Sequence, residues 1–241
     1  MIRNAIILAA GLGSRIEKLT KSKPKGFIEI GGITLIERSI NLLLQSGISK
    51  IYIGTGHKSI YYDRLKKSYK SIWTKKNEEY ENSGSFHTLY NFQNVINDDF
   101  LLLESDLLYE NAAIKSLIDD ERKDIVLTSD FTQSGDEVFV VGKKNLLRNL
   151  TKSPSQNEIP LSEFVGISKI SIKLYKKMCK HYMRLNNKNL EYEELLNKCS
   201  KTEDIFMKKL KDIIWCEIDN EQHLSRAINI IAPKILENEK I

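Results

Sequence analysis

Ile6-Ile7-Leu8-Ala9-Ala10-Gly11-Leu12-Gly13-Ser14-Arg15, followed by Lys23-Pro24-Lys25-Gly26, is the stretch that decides how this chain folds. It opens on an apolar run with β-branched residues, which reads as a buried strand. A turn of small residues follows. Gly11 and Gly13 let the backbone approach a ligand closely, and such a turn can aim successive N–H groups at phosphate oxygens. Arg15 and Lys25 bring fixed positive charge to the same place, a combination that suits a triphosphate. A dinucleotide fingerprint would need a third glycine where Ile16 stands. A P-loop would need Gly-Lys-Ser/Thr to close the loop, and no such tripeptide follows Gly13. The plainer alternative is a strand-to-helix turn with Arg15 and Lys25 merely solvated. The joint placement of Arg15 and Pro24-Lys25 favours phosphate binding.

The chain has 241 residues and a hydrophobic fraction of 41%, which fits one α/β domain with ample core. Its net charge of +5 is spread over many lysines. It permits anionic substrates without calling for nucleic acid. No apolar run approaches the ~20 residues of a membrane span, and Ile6 to Ala10 is too short for a signal-peptide core. Cys179, Cys199 and Cys216 are odd in number and widely spaced, with neither a zinc pattern nor a disulfide framework, so a reducing cytoplasm is expected.

Strand, helix and strand follow the turn: Phe27 to Ile30, a helix from the Thr34–Glu37 cap to Gly47, and Ile48 to Thr55. This βαβ pattern implies a Rossmann-like, mostly parallel twisted sheet with helices on both faces. Asn77 to Ser85 is a polar loop opening a helix, and the loop's hydroxyl and amide side chains offer directional donors and acceptors; the plainer alternative is an N-cap from Ser83 or Ser85. Phe100 to Glu104 is a central strand ending Glu104-Ser105-Asp106. Ligands in such sheets sit beyond the strand carboxyl ends, so Asp106 should lie beside the Gly turn. Val138–Val141 and Leu146–Thr151 form a hairpin inside an inserted lid at about 130–165 of a single 1–241 domain. Helices are expected at 172–185, 191–199, 202–210 and 222–236. A strand ending Glu217-Ile218-Asp219 lies between the last two.

Three blocks then coincide: Leu8–Arg15 with Pro24-Lys25, Glu104-Ser105-Asp106, and Trp215-Cys216-Glu217-Ile218-Asp219. With Gly166-Ile167-Ser168 they resemble the nucleotidyltransferases that activate phosphocholine or 2-aminoethylphosphonate with CTP, over nearly the whole chain. The resemblance implies a nucleotide-diphospho-sugar transferase-like fold. It implies transfer of CMP to the acceptor with release of pyrophosphate, helped by Mg²⁺. Lys25, Arg15 and Asp106 would be catalytic. Leu8, Ala9, Ala10, Gly11, Gly13, Ser14, Glu104 and Ser105 would line the nucleotide site, and Ser83, Gly84 and Ser85 would frame the base. Asp106, Asp219 and Glu217 are the candidate metal ligands. Each could be an ordinary surface carboxylate, but both strand ends fall at the expected ligand edge.

Pyrophosphate loss needs charge neutralisation more than acid–base help, and a phosphate or phosphonate acceptor is already anionic. For the acceptor, Asp130, Asp136 and Lys152 are the candidates, although a solvated turn explains the two aspartates nearly as well. The phosphocholine branch carries a Glu-Trp pair in the lid, where this chain has Glu137-Val138. The segment Asn82 to Leu89 also resembles the phosphonate branch, so 2-aminoethylphosphonate is expected ahead of phosphocholine. Sugar-1-phosphate transfer and non-catalytic nucleotide sensing remain open. Relatives of this kind occur fused to an aminotransferase, which is the one protein partner implied; no nucleic acid or membrane is.

Overall fold

The computed structural model describes residues 2–16 and 23–239. The opening apolar run forms β1 (Asn4–Ala9), buried along its whole length. Ala5, Ile7 and Ala9 enter one hydrophobic cluster and Ile6 and Leu8 another, the period-two division of a central strand covered on both faces. A small hairpin of β2 (Glu29–Ile30) and β3 (Ile33–Thr34) follows, turning at Gly31 and Gly32, both at positive φ. Thr34 Oγ1 accepts from Glu37 N–H at 3.2 Å and starts α1 (Leu35–Gln45).

The parallel part of the sheet comes next. It contains β4 (Lys50–Thr55), α2 (Ile60–Leu65), β5 (Ile72–Lys76), α3 (Ser85–Tyr90) and β6 (Phe100–Glu104). Then follow β7 (Leu107–Tyr109), α4 (Ala112–Ile118), β8 (Ile125–Ser129), β9 (Phe139–Lys143), β10 (Leu146–Thr151) and β11 (Ser162–Ile170). The chain closes with α5 (Ile172–Leu185), α6 (Tyr192–Cys199), β12 (Phe206–Lys209), β13 (Trp215–Glu217), α7 (Glu221–Arg226) and α8 (Ala232–Asn238).

A nine-stranded sheet runs β5-β4-β1-β6-β11-β8-β12-β10-β9. Its first four strands are parallel, β11 inserts antiparallel, and the β9–β10 hairpin is hydrogen-bonded into the far end through β12, with β9 also reaching β11. The expected α/β architecture is present, with a more mixed sheet than βαβ units alone imply. Residues of α1, α2 and α4 cover one face, and residues of α3, α5 and α6 the other. No helix among the described residues is long and apolar enough to cross a membrane, and all three cysteines are buried and free.

The expected helix over 202–210 is not formed. Thr202 and Glu203 N–H groups instead donate to Cys199 O and end α6, and Phe206 to Lys209 pair parallel with β8. The hydrogen-bonding edge of β8 captures this segment, and tertiary pairing overrides its local helical preference. The last expected strand is also shorter, Trp215–Glu217, and pairs with β7 in a separate two-stranded sheet.

Leu103 lies in β6, fully buried one residue before Glu104. Leu103→Ala should therefore lower stability by about 2–5 kcal/mol, read as the midpoint of urea unfolding with unchanged slope. A loss under about 1 kcal/mol would mean that β6 is not the packed centre described here.

Candidate active site

The carboxyl ends of β1 and β6 meet at one cleft of about 300 Å³. Leu8, Ala9, Ala10, Gly11 and Gly13 form one part of its wall. Gly13 has φ +65°, a conformation that favours glycine, and a Cβ there would press on the Lys25 side chain at 3.0 Å. Glu104, Ser105 and Asp106 line the same cleft, with Ser105 N–H bonded to Leu8 O at 3.1 Å.

The loop after β5 supplies Ser83, Gly84 and Ser85. Its shape depends on Asn77, a buried residue that sequence reasoning passed over. Asn77 Nδ2 donates to Ser83 Oγ at 2.9 Å and Thr88 Oγ1 at 3.0 Å, and Oδ1 accepts from Glu79 N–H at 2.9 Å. The loop rests on α6. Ser85 N–H donates to Glu191 Oε2 at 2.8 Å, and Tyr192 N–H to Ser85 Oγ at 3.0 Å. Gly84 approaches the Leu190 carbonyl so closely that a Cβ would collide with it. Ser83 accepts from Asn77 and donates to Glu79 O at 2.8 Å, whereas Ser85 Oγ accepts from Tyr192 and keeps its hydrogen to donate.

The charged residues form a chain of contacts. Lys25 Nζ lies 3.1 Å from Asp106 Oδ2 and also bonds Asp219 Oδ1. Arg15 reaches Asp219 Oδ2 at 2.9 Å and Asp136 Oδ2 at 3.2 Å, and Lys152 reaches Asp136 Oδ1 at 2.6 Å. Burial pushes the Lys25 ammonium down, but Asp106 and Asp219 outweigh it and hold the ammonium above the usual lysine range. Burial pushes the Asp219 carboxyl up, and Lys25 outweighs that, holding it well below the usual carboxylate range. Ile218 N–H donates to Asp106 O at 3.1 Å, which locks the two carboxylate segments side by side. His223 Nδ1 accepts from Asp219 N–H at 3.4 Å, so its Nε2 carries the hydrogen toward Ser134 O, 3.2 Å away. That imidazole ties the end of β13 to the loop carrying Asp136.

Among the described residues, a second set of carboxylates is met by a cation only at Asp106, through Lys25. Oxygens of Glu104, Asp106 and Glu217 lie within 4.8 Å of one another. Burial raises the Glu217 carboxyl far above its ordinary value, with Asp106 and Glu104 adding to it. Burial likewise raises Glu104, with Glu193 and Asp106 adding, although Tyr192 OH donates to Glu104 Oε1 at 2.5 Å. These oxygens suit a hard cation such as Mg²⁺, whose ligands are carboxylates and water. Of the expected metal ligands, Asp106 and Glu217 fall in this cluster. Glu104 joins the cluster, while Asp219 is engaged by Lys25 and Arg15.

Among the expected site residues, Ser14 and Arg15 sit in a short 3₁₀ turn outside the cleft wall, and Arg15 joins it through its ion pairs. Asp136 and Lys152 are brought to the site, but Asp130 is not. Its exposed carboxylate pairs at 2.6 Å with Lys209 on the neighbouring strand β12. The residues next to Asp130 in sequence give no sign of that strand. Sequence reasoning also passed over Glu191, Tyr192, Glu193, Tyr62 and Tyr80, all of which line the cleft. In sequence, 191–199 is only a helix, and the pairing with Ser85 reveals its place at the cleft.

The family described as nucleotidyl transferase matches residues 4–137. A choline-phosphate cytidylyltransferase of Haemophilus influenzae is 40% identical over 104 residues, 41% of this chain and 45% of the relative. A 2-aminoethylphosphonate cytidylyltransferase of Lancefieldella rimae is 32% identical over 112 residues, 46% of this chain and 46% of the relative. The chain thus spans less than half the length of these curated relatives. The solved inositol-1-phosphate CTP transferase of T. maritima superposes with a TM-score of 0.84 at 18% identity, covering 98% of this chain and 97% of that one.

Glu217 carries a pH-dependent prediction. A carboxyl raised in the folded state binds its proton more tightly there, so its contribution to stability is lost as pH rises from about 4.3 toward the folded value. Glu217→Gln removes that loss. In metal-free buffer near about pH 8 the variant should be more stable by about 0.5–2 kcal/mol, with the gap closing near about pH 4. A variant less stable than the parent at the higher pH would contradict an uncompensated carboxyl at this position.

Proposed function

The chain belongs to the nucleotidyl transferase family, and from that premise we propose that it transfers CMP from CTP to 2-aminoethylphosphonate, releasing pyrophosphate. The observation that carries the reading is the charge layout of the cleft. Carboxylates of Glu104, Asp106 and Glu217 converge with Lys25 on Asp106 as their one cation among the described residues, beside Asp219, which holds both Lys25 and Arg15. A nucleoside triphosphate with its divalent ion complements both halves at once.

Glu104, Asp106 and Glu217 would hold Mg²⁺, and Asp219 would be free to join them when Lys25 turns to phosphate. When bound, the ion would offset the negative charge gathering on the leaving phosphates. Lys25 and Arg15 would bind the triphosphate, and the N–H groups of the Ala10–Ser14 turn would add donors. An anionic phosphonate oxygen attacks the α-phosphorus, and the bond from that phosphorus to the bridging oxygen breaks as the new one forms. Pyrophosphate leaves with the electron pair. No proton has to move, so the reaction needs no general base. Ser85 would offer its free hydroxyl hydrogen to the pyrimidine, and Asp136 and Lys152 would stand on the acceptor side of Glu217. The 130–165 segment would serve as the lid over the acceptor.

The Lancefieldella relative's name supports the phosphonate, and the higher identity to the Haemophilus protein supports phosphocholine as a second reading. Pyrophosphate release, measured with four nucleoside triphosphates against 2-aminoethylphosphonate, phosphocholine and glucose 1-phosphate, separates them. The expected result is CTP with 2-aminoethylphosphonate, its kcat/KM about tenfold or more above that for phosphocholine. Preference for phosphocholine would move the acceptor, and turnover confined to glucose 1-phosphate would move the enzyme class. CTP binding without turnover on any acceptor would indicate a sensor.

A further inference from the structure

The first turn of α6 puts three acidic residues, Glu191, Glu193 and Glu194, near the cleft, and two of them have structural work. Glu191 holds the Ser85 N–H, and Glu194 Oε2 accepts from Glu191 N–H at 2.7 Å in a capping box. Glu193 has no such task. It lines the cleft, and its Oε2 is buried without a hydrogen-bond partner. Lys152, the cation that draws on it, is committed to Asp136 at 2.6 Å. Like charge on Glu191 and Glu194 also opposes ionisation of Glu193, which in turn opposes that of Glu104 in the same wall. Burial pushes the Glu193 carboxyl up to about 7, against the pull of its own backbone N–H.

An enclosed carboxyl with an empty acceptor is unfavourable unless a ligand completes it. The ligand that removes both defects must bring N–H donors and positive charge together. A sugar hydroxyl brings a donor without charge. A trimethylammonium group brings charge without a donor. A primary ammonium brings both. Glu193 also neighbours Glu104, a member of the carboxylate cluster, so a short acceptor with its phosphonate at the cluster can present its amine to α6. Resting on the transferase reading above, we propose that Glu193 is the specificity-determining residue that receives the primary ammonium of the acceptor. This places amine recognition on the first turn of α6, away from Asp130, whose carboxylate is occupied by Lys209.

The test compares 2-aminoethylphosphonate with ethylphosphonate, which keeps the attacking oxygen and lacks the amine, in the parent protein and in Glu193→Gln and Glu193→Asp. Far-ultraviolet circular dichroism and thermal midpoint establish that each variant is folded. Glu193→Gln should raise the KM for 2-aminoethylphosphonate by about ten- to a hundredfold, the worth of one charged hydrogen bond. The KM for CTP and the kcat/KM for ethylphosphonate should hold, so that preference for the amine collapses. Glu193→Asp, which keeps the charge, should recover part of that preference. An equal loss on both phosphonates in Glu193→Gln would show a purely structural residue and overturn the proposal. So would retained preference for the amine. A parent protein that turns over CTP with other acceptors and never prefers the amine would overturn the transferase assignment to phosphonates, and this proposal with it.

Discussion

Lys25 is held between Asp106 and Asp219, and three distant parts of the chain must fold correctly for that contact to exist. Lys25 follows the Gly turn of β1, Asp106 ends β6, and Asp219 ends the β13 segment. Burying two carboxylates and an ammonium is unfavourable unless they satisfy one another, and breaking such a group leaves an unpaired buried charge. The two-stranded β7–β13 pairing and the Ile218-to-Asp106 hydrogen bond supply the needed alignment. His223 then fixes the Asp136 loop to the same point. The cleft is therefore assembled by charge balance, on a frame set by the alternating burial of β1 and β6.

That balance is complete on one side and incomplete on the other. Lys25, Arg15 and Lys152 have carboxylate partners, while burial opposes the ionisation of Glu104, Glu193 and Glu217. A fold selected for stability alone would replace such residues with neutral ones. On the proposed reading, keeping them would make the cleft favour cations and let a triphosphate exchange with Asp219 for Lys25.

Much of this was legible in the chain because it is local. The apolar run Ile6–Ala10, the Gly turn and the Thr34 cap depend on neighbours in sequence, and Asp106 follows from a strand end in a parallel sheet. What escaped depends on partners far along the chain. Phe206–Lys209 looks helical until β8 offers its edge. Asp130 looks like an acceptor ligand until β12 places Lys209 beside it. Asn77 and Glu193 carry no motif, and their importance appears only when Ser83, Thr88 and the cleft wall surround them. Long-range pairing, rather than unusual residue chemistry, separates the two groups.

The central claim is that the carboxylates at the ends of β6 and β13 form a cation site completed by a nucleotide. Calorimetric titration of Mg²⁺ into the protein with a non-hydrolysable CTP analogue tests it most directly. Saturable uptake of the ion is expected in the parent protein, weakened about a hundredfold or more in Asp106→Asn, the scale of losing one preorganised electrostatic group. Uptake of equal affinity in the parent and in Asp106→Asn would contradict the account.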